Sequence, residues 1–137
     1  MSRGNPSKEV TVRAEVPLIY ECNLNCYFCY IHGNDARQNR LTREQWQQFV
    51  RFFDSTGRWL VGIGTGEPFF HPDFVEFASS VTRKNLLVIS TNLTHDLKEF
   101  IKYVPAERVN AISISLQPAV ENDIEPFLRK NKPLNKA

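Results

Sequence analysis

The stretch WLVGIGTGEPFFHPDFVEFASSV, residues 59–81, contains two different hydrophobic periodicities separated by a loop with glycines at positions 64 and 66. Residues 59–63 form a short apolar run with β-branched members, which is typical of a buried strand. After the loop, Asp73 is placed to cap a helix whose apolar residues recur at i, i+3, i+4 and i+7: Phe74, Phe77, Ala78 and Val81. The stretch is therefore predicted to form one strand–loop–helix unit.

The same unit precedes this stretch. Residues 16–20 are apolar and are predicted to form a strand. A helix is predicted to begin after Thr42, because Thr42 and Gln45 have the spacing of a capping box, and to end at Gly57. Its apolar stripe is predicted to face the core: Trp46, Phe49, Val50 and Phe53.

Two further units follow it. Residues 86–90 and 111–116 are predicted strands, and a helical pattern comes after each of them. The apolar residues of these patterns are again predicted to be core: Leu97, Phe100, Ile101 and Val104, then Ile124, Phe127 and Leu128. Four strand–helix units in succession predict an α/β fold with a parallel sheet and helices on its outer face.

Distinctive polar residues lie where the predicted strands end. A cysteine-containing loop follows the first strand, residues 65–68 follow the second, Asn92 follows the third, and Gln117 follows the fourth. Because ligands of parallel α/β folds bind at the carboxyl ends of the strands, these four loops are predicted to meet at one site.

All the cysteines of the chain lie in the first of these loops. Cys22, Cys26 and Cys29 have the spacing C-x3-C-x2-C, which is a poor disulfide framework and favours metal binding. Thiolates are soft ligands, and three of them can hold an iron–sulfur cluster while leaving one iron open. Two alternatives stay open on the spacing alone: a Cys3His zinc site completed by His32, and cysteines that bind no metal.

The loop CNLNCYFC, residues 22–29, closely resembles the signature loop of the radical S-adenosylmethionine (SAM) superfamily. The resemblance implies that the three cysteines hold a [4Fe–4S] cluster and that Phe28 lies beside the adenine of SAM. It also implies that the α/β fold is a partial parallel (β/α) barrel with about four of the six units of a radical SAM core. On this basis residues 1–12 are expected to be a polar arm and residues 13–137 an incomplete core domain, and we expect either a truncated gene product or a partial sequence.

The other loops resemble further parts of the same family. Residues 63–68 (IGTGEP) resemble its G-G-E-P motif, which binds the amino group of SAM, so a cofactor-binding role is implied for Thr65, Gly66, Glu67 and Pro68. Glu67 is expected either to meet the ammonium group or to orient the loop. His71 is expected to be structural.

The family often has T-N-G where this chain has Thr91-Asn92-Leu93, and Asn92 is implied to contact the cofactor. In the alternating segment 113–117, Ser113, Ser115 and Gln117 share one face, which is expected to line the barrel interior. Ser115 resembles the residue that binds the SAM ribose, and many members have an aspartate at the position of Gln117.

The resemblance implies reductive cleavage of SAM and hydrogen abstraction from a substrate that the sequence does not name. It also implies a one-electron donor such as flavodoxin or ferredoxin. Two alternative functions stay open: a zinc-binding module without enzymatic activity, and a defective relative that binds SAM without turnover.

The composition limits the other classes of function. The net charge of +2 is too small to indicate binding to nucleic acid or to a membrane surface. No apolar run approaches the length of a membrane span, and residues 1–9 lack the apolar region of a secretory signal, so the cytoplasm is the expected location.

Overall fold

The computed structural model describes residues 12–24, 29 and 39–115. Within this part of the chain, four parallel strands form one sheet in the order β1-β2-β3-β4. The strands are β1 (Val12–Glu15), β2 (Trp59–Ile63), β3 (Leu86–Thr91) and β4 (Val109–Ile114). The helices between them are α1 (Arg43–Thr56), α2 (Phe74–Val81) and α3 (Lys98–Tyr103), with short 3₁₀ turns at Pro68–Phe70 and Ala106–Arg108.

The predicted α/β class with a parallel sheet is confirmed, since every adjacent pair of strands is parallel. The strand predicted at residues 59–63 has the observed bounds of β2. The third is one residue longer than predicted, and the fourth begins two residues earlier, at Val109. The sheet is a partial barrel wall, with the helices covering one of its faces.

The first predicted strand was wrong in its position, because β1 ends before residue 16. Val16 donates the last hydrogen bond toward β2, to the carbonyl oxygen of Gly62 at 2.9 Å. Pro17 has no N–H, so it cannot continue the ladder. The chain then leaves the sheet: Tyr20 donates to Asn39 at 2.8 Å, and Leu41 donates to Leu18 at 2.9 Å. Residues 16–20 are buried as predicted at Val16, Leu18 and Ile19, but they pair with residues 39–41.

Both predicted ends of α1 are confirmed. The Thr42 side chain accepts a hydrogen bond from the Gln45 backbone, and the Gln45 side chain accepts one from the Thr42 backbone. At the other end, Gly57 has a φ of 140°, a backbone conformation that residues other than glycine rarely adopt. Local sequence therefore determines where this helix begins and ends.

Asp73 is the N-cap residue of α2, as predicted, but its side chain does not cap the helix. Its carboxylate makes no hydrogen bond to the first turn of α2 and contacts two residues of α1 instead. One oxygen pairs with a guanidinium nitrogen of Arg43 at 3.0 Å, and the other accepts from Nε1 of Trp46 at 3.1 Å. Because the Trp46 ring is buried, its N–H needs a partner, and Asp73 supplies it.

The core lies between the sheet and the helices. The predicted stripe residues that are buried include Trp46, Val50, Phe53 and all four of α2. Among the predicted core residues whose positions are described, Phe49 and Ile101 are not buried, with exposures of 37% and 45%. Phe49 lies on the side of α1 that borders the open groove next to edge strand β1, and the six-residue α3 buries only Phe100 within its own length.

Several predictions lie outside the described residues, namely the arm before residue 12 and the helix carrying Ile124, Phe127 and Leu128. Among the helices that are described, none combines the length and apolar character that a bilayer crossing requires.

Candidate functional site

The loop after β2 lies directly against the segment that enters the cysteine loop. The backbone N–H of Glu67 donates to the carbonyl oxygen of Glu21 at 2.9 Å. Gly66 makes this approach possible, because its φ is +58° and a Cβ there would lie 2.5 Å from the same oxygen of Glu21. Two of the predicted loops are therefore joined through their backbones.

Glu67 joins this loop to the end of β3. Its side chain is buried, and Oε1 accepts a hydrogen bond from the Thr91 hydroxyl at 2.6 Å. Oε2 accepts from the backbone N–H of Asn92 at 2.7 Å. Burial raises the pKa of Glu67 above 4.5, and hydrogen bonds from Thr91, Asn92 and Phe69 oppose that rise. Both carboxylate oxygens thus have partners within the protein.

The backbone turns sharply after Asn92. Leu93 has a φ of +57°, and its N–H donates to the Thr91 hydroxyl at 3.0 Å. A glycine stands at this position in the T-N-G motif that the segment resembles, and the observed φ is the one that glycine favours. Leu93 keeps the conformation while burying its side chain, which is only 2% exposed.

The side chain of Asn92 connects the end of β3 to the cysteine loop. Its Oδ1 accepts from the Thr94 backbone N–H at 3.1 Å and from the Thr94 hydroxyl at 2.8 Å. Its Nδ2 lies 2.9 Å from Oδ1 of Asn23 and 3.7 Å from Sγ of Cys22. Asn23 in turn donates to the Thr94 hydroxyl at 2.6 Å, which closes the network.

Cys22 is the cysteine whose surroundings are best described. Its Sγ accepts from the backbone N–H of Leu24 at 3.5 Å as well as from Asn92, and lies 3.9 Å from Oδ1 of Asn23. Cys29 is partly buried. Among the residues with described positions, no three His, Cys, Asp or Glu side chains form a metal-binding group. The third cysteine, Cys26, lies outside that set, as do Phe28, His32 and Gln117.

Two buried oxygen atoms at this site have no hydrogen-bond partner in the described structure. They are Oγ1 of Thr65 and Oε2 of Glu21. A guanidinium nitrogen of Arg40 lies at an ion-pair distance of 3.7 Å from Oε2 of Glu21. Buried polar atoms are nearly always hydrogen-bonded, so Thr65 Oγ1 is available to a polar ligand at the loop.

Ser113 lies on β4 and Ser115 directly follows that strand. In the sheet, β4 is next to β3 on the side opposite β2 and its loop at residues 65–68. Ser113 is in register with Ser90, and the N–H of Ser115 donates to the Thr91 carbonyl oxygen at 2.9 Å. Both serines are exposed, while Ile112 packs against the core. They are therefore next to the Thr91–Asn92 backbone.

The ring of His71 is held by backbone groups. Its Nδ1 accepts from the N–H of Asp73 at 3.0 Å, which leaves Nε2 to donate to the Leu41 carbonyl oxygen at 2.8 Å. This geometry supports the expected structural role of His71.

Sequence reasoning missed three members of the network, which are Thr91, Asn23 and Thr94. The spacing of Asn92 and Thr94 is a signal from which a local side-chain turn could have been predicted. Nothing in the sequence indicates that Asn23 and Thr94, which are 71 positions apart, are hydrogen-bonded.

Comparison with known proteins gives a match over most of the chain. The family described as "Radical SAM superfamily" matches residues 16–135. One relative is named "Probable GTP 3',8-cyclase" of Pyrococcus abyssi, 31% identical over 98 residues, which are 69% of this chain and 32% of that protein. A protein of the same name from Pyrobaculum aerophilum is 28% identical over 97 residues, 70% of this chain and 31% of its own length.

A relative with a different name matches to a similar degree. It is "Mycofactocin maturase MftC" of Mycobacterium ulcerans, 30% identical over 103 residues, which are 74% of this chain and 28% of that protein. The chain thus spans about a third of the length of the curated relatives it matches.

Proposed function

The chain belongs to the radical SAM superfamily, and from that premise we propose that it binds a [4Fe–4S] cluster and SAM at the site formed by the loops after β1, β2 and β3. The observation that carries the proposal is the convergence of these loops. Glu67 bonds to Glu21 on one side and to Thr91 and Asn92 on the other, next to Cys22.

The donor set fits the cluster. The proposed ligands are Cys22, Cys26 and Cys29, whose thiolates are soft ligands suited to iron. Three protein ligands leave one iron of the cluster open, which is the position that the amino and carboxylate groups of SAM would occupy. Sγ of Cys22 already accepts N–H donors, as the sulfur ligands of iron–sulfur clusters commonly do.

Residues 65–68 are the proposed site of the methionine part of SAM. The unpartnered Oγ1 of Thr65 supports a polar ligand at this loop. Glu67 has two expected roles, and the geometry supports the second, because both of its oxygens accept hydrogen bonds from residues 91 and 92. We assign to Glu67 the orientation of the loop and not contact with the ammonium group.

The remaining proposed SAM contacts are Phe28, Ser113, Ser115 and Gln117. The amide groups of Asn92 already have partners within the protein, so we assign to Asn92 the support of the site and not a direct contact with SAM. A cluster and SAM bound there would supply one-electron reductive cleavage chemistry and radical hydrogen abstraction. The protein's own residues bind and orient these groups and exclude water. A one-electron donor such as flavodoxin or ferredoxin is the proposed partner.

Relatives with two different names match this chain over similar lengths, 98 and 103 residues. We infer that this chain carries the part of the fold that generates the radical, which proteins with different activities share.

The test is anaerobic reconstitution of the full chain with iron and sulfide. We expect about four irons per chain and formation of 5′-deoxyadenosine when SAM and dithionite are added. Cys26→Ala should lose the iron, whereas His32→Ala should retain it. Loss of bound zinc in the His32→Ala variant, with no uptake of iron by the wild type, would instead establish the zinc-binding module. A loaded wild type that forms no 5′-deoxyadenosine would establish the defective relative.

A further inference from the structure

Asn92 has an orientation that its neighbours determine. The backbone N–H of Thr94 can only donate, so the atom of the Asn92 amide that faces it, at 3.1 Å, must be the oxygen. The amide nitrogen must therefore face the opposite way, toward Asn23 and Cys22. The assignment of oxygen and nitrogen in this side chain does not depend on Cys22 itself.

The two hydrogens of this nitrogen have two acceptors. One is Oδ1 of Asn23 at 2.9 Å, and the other is Sγ of Cys22 at 3.7 Å, within the range for sulfur. Asn92 is only 6% exposed, so water does not compete freely for these hydrogens. Its backbone N–H is bound by the buried Glu67 carboxylate, which holds the residue in place from the other side.

We propose that Asn92 is a positioning residue that orients Cys22 and, through its N–H···S hydrogen bond, raises the reduction potential of the bound cluster. This inference rests on the proposed function. Hydrogen bonds to cluster sulfurs are among the groups that set iron–sulfur potentials. Reduction adds one electron to the cluster and increases the negative charge on its sulfurs, so an N–H donor stabilises the reduced state more than the oxidised state.

Two variants separate this role from a merely structural one. Asn92→Leu keeps the number and branching of the side-chain heavy atoms and removes both N–H donors of the amide without adding charge. Asn92→Asp keeps the shape but replaces the donor with an oxygen that carries negative charge, which disfavours the added electron further. The expected order of midpoint potentials is therefore wild type highest, Asn92→Leu lower and Asn92→Asp lowest.

The measurement is a redox titration of the reconstituted full chain with dithionite, followed by EPR of the reduced cluster, with iron content and circular dichroism recorded for each variant. Ser90→Ala is the matched control, because Ser90 lies on the same strand and faces Gly64. Its potential should equal that of the wild type.

A third variant keeps the test decisive if the substitutions at position 92 do not fold. Thr94→Val removes the hydroxyl that holds the Asn92 oxygen but leaves the Thr94 backbone N–H in place. We expect a smaller shift in the same direction. Unchanged potentials in the folded variants, or a rise in any of them, would overturn this inference while leaving the proposed function intact. A wild type that takes up no iron would overturn both.

Discussion

The backbone N–H of Glu67 donates to the carbonyl oxygen of Glu21, the residue before Cys22, at 2.9 Å. This bond joins two loops that are 46 positions apart in sequence, and the Glu67 side chain extends the connection to the end of β3. The position of Cys22 therefore depends on residues of three separate strand–loop units.

Gly66 is the residue on which this arrangement depends most. Gly66→Ala would add a Cβ 2.5 Å from the Glu21 carbonyl oxygen, in a backbone conformation that alanine disfavours. We expect a loss of about 2–4 kcal/mol in the free energy of unfolding, from the strained φ together with overpacking. Urea denaturation of the full chain measures this loss.

Gly64 offers a matched control two residues away. A Cβ there would lie 3.6 Å from Ser90, which is ordinary van der Waals contact. Gly64→Ala should change the free energy of unfolding by less than about 1 kcal/mol. Equal losses for the two variants would contradict the proposed close approach of the loops.

Leu93 combines a buried side chain with a positive φ. The stabilities of its alanine and glycine variants should therefore rank in the reverse of the usual order. Leu93→Ala and Leu93→Gly both lose the buried side chain, at a cost of about 2–5 kcal/mol. Glycine also avoids the strain of the left-handed backbone conformation, which costs other residues about 1–2 kcal/mol. Leu93→Gly should therefore be the more stable of the two variants in urea denaturation.

Leu87 provides the comparison, because it is fully buried in regular strand β3. There, Leu87→Ala should be more stable than Leu87→Gly, since glycine in a strand has a larger entropic cost. The same ranking of alanine above glycine at both positions would show that the φ of Leu93 carries no strain.

The raised pKa of Glu67 predicts a pH dependence of stability. Between its ordinary value of 4.5 and the raised folded value, the folded state binds more protons than the unfolded state. The protonated carboxyl therefore makes its whole contribution to the free energy of unfolding below pH 4.5. This contribution is lost as the pH rises through the pKa of Glu67 in the folded state. Glu67→Gln removes this titration.

The readout is the unfolding free energy of the wild type minus that of Glu67→Gln, measured from about pH 4 to about pH 7. This difference should fall as the pH rises. Glu44→Gln, on the exposed face of α1, controls for the removal of a carboxylate as such. A difference that grows with pH would indicate that the hydrogen bonds to Glu67 outweigh its burial.

Local signals predicted the parts of the fold that depend on local bonds. The capping box of Thr42 and Gln45 and the terminating Gly57 are interactions between near neighbours, so sequence spacing was sufficient. The short apolar run at residues 59–63 likewise predicted the observed bounds of β2.

Predictions were wrong where a distant partner decided the outcome. The segment after Val16 has the composition of a strand, but Pro17 ends its pairing with β2 and residues 39–41 replace that partner. Asp73 has the residue type of a cap, but the buried indole of Trp46 and the guanidinium of Arg43 use its carboxylate.

Of the four loops predicted to meet, the described structure joins those after β1, β2 and β3, as expected because the carboxyl ends of parallel strands share one edge. The hydrogen bonds of the candidate site were not predictable in the same way. The role of Glu67 depends on its burial and on the orientation of Thr91, and that of Asn92 depends on Thr94. These features follow from packing between units and not from spacing within one.

The central claim, that the three cysteines hold a cluster to which SAM binds directly, is tested most directly by EPR of the reduced, reconstituted chain before and after addition of SAM. We predict the signal of a reduced [4Fe–4S] cluster whose line shape changes when SAM is added, because SAM occupies the open iron. A chain that binds zinc and no iron, or a cluster signal that SAM leaves unchanged, would contradict the claim.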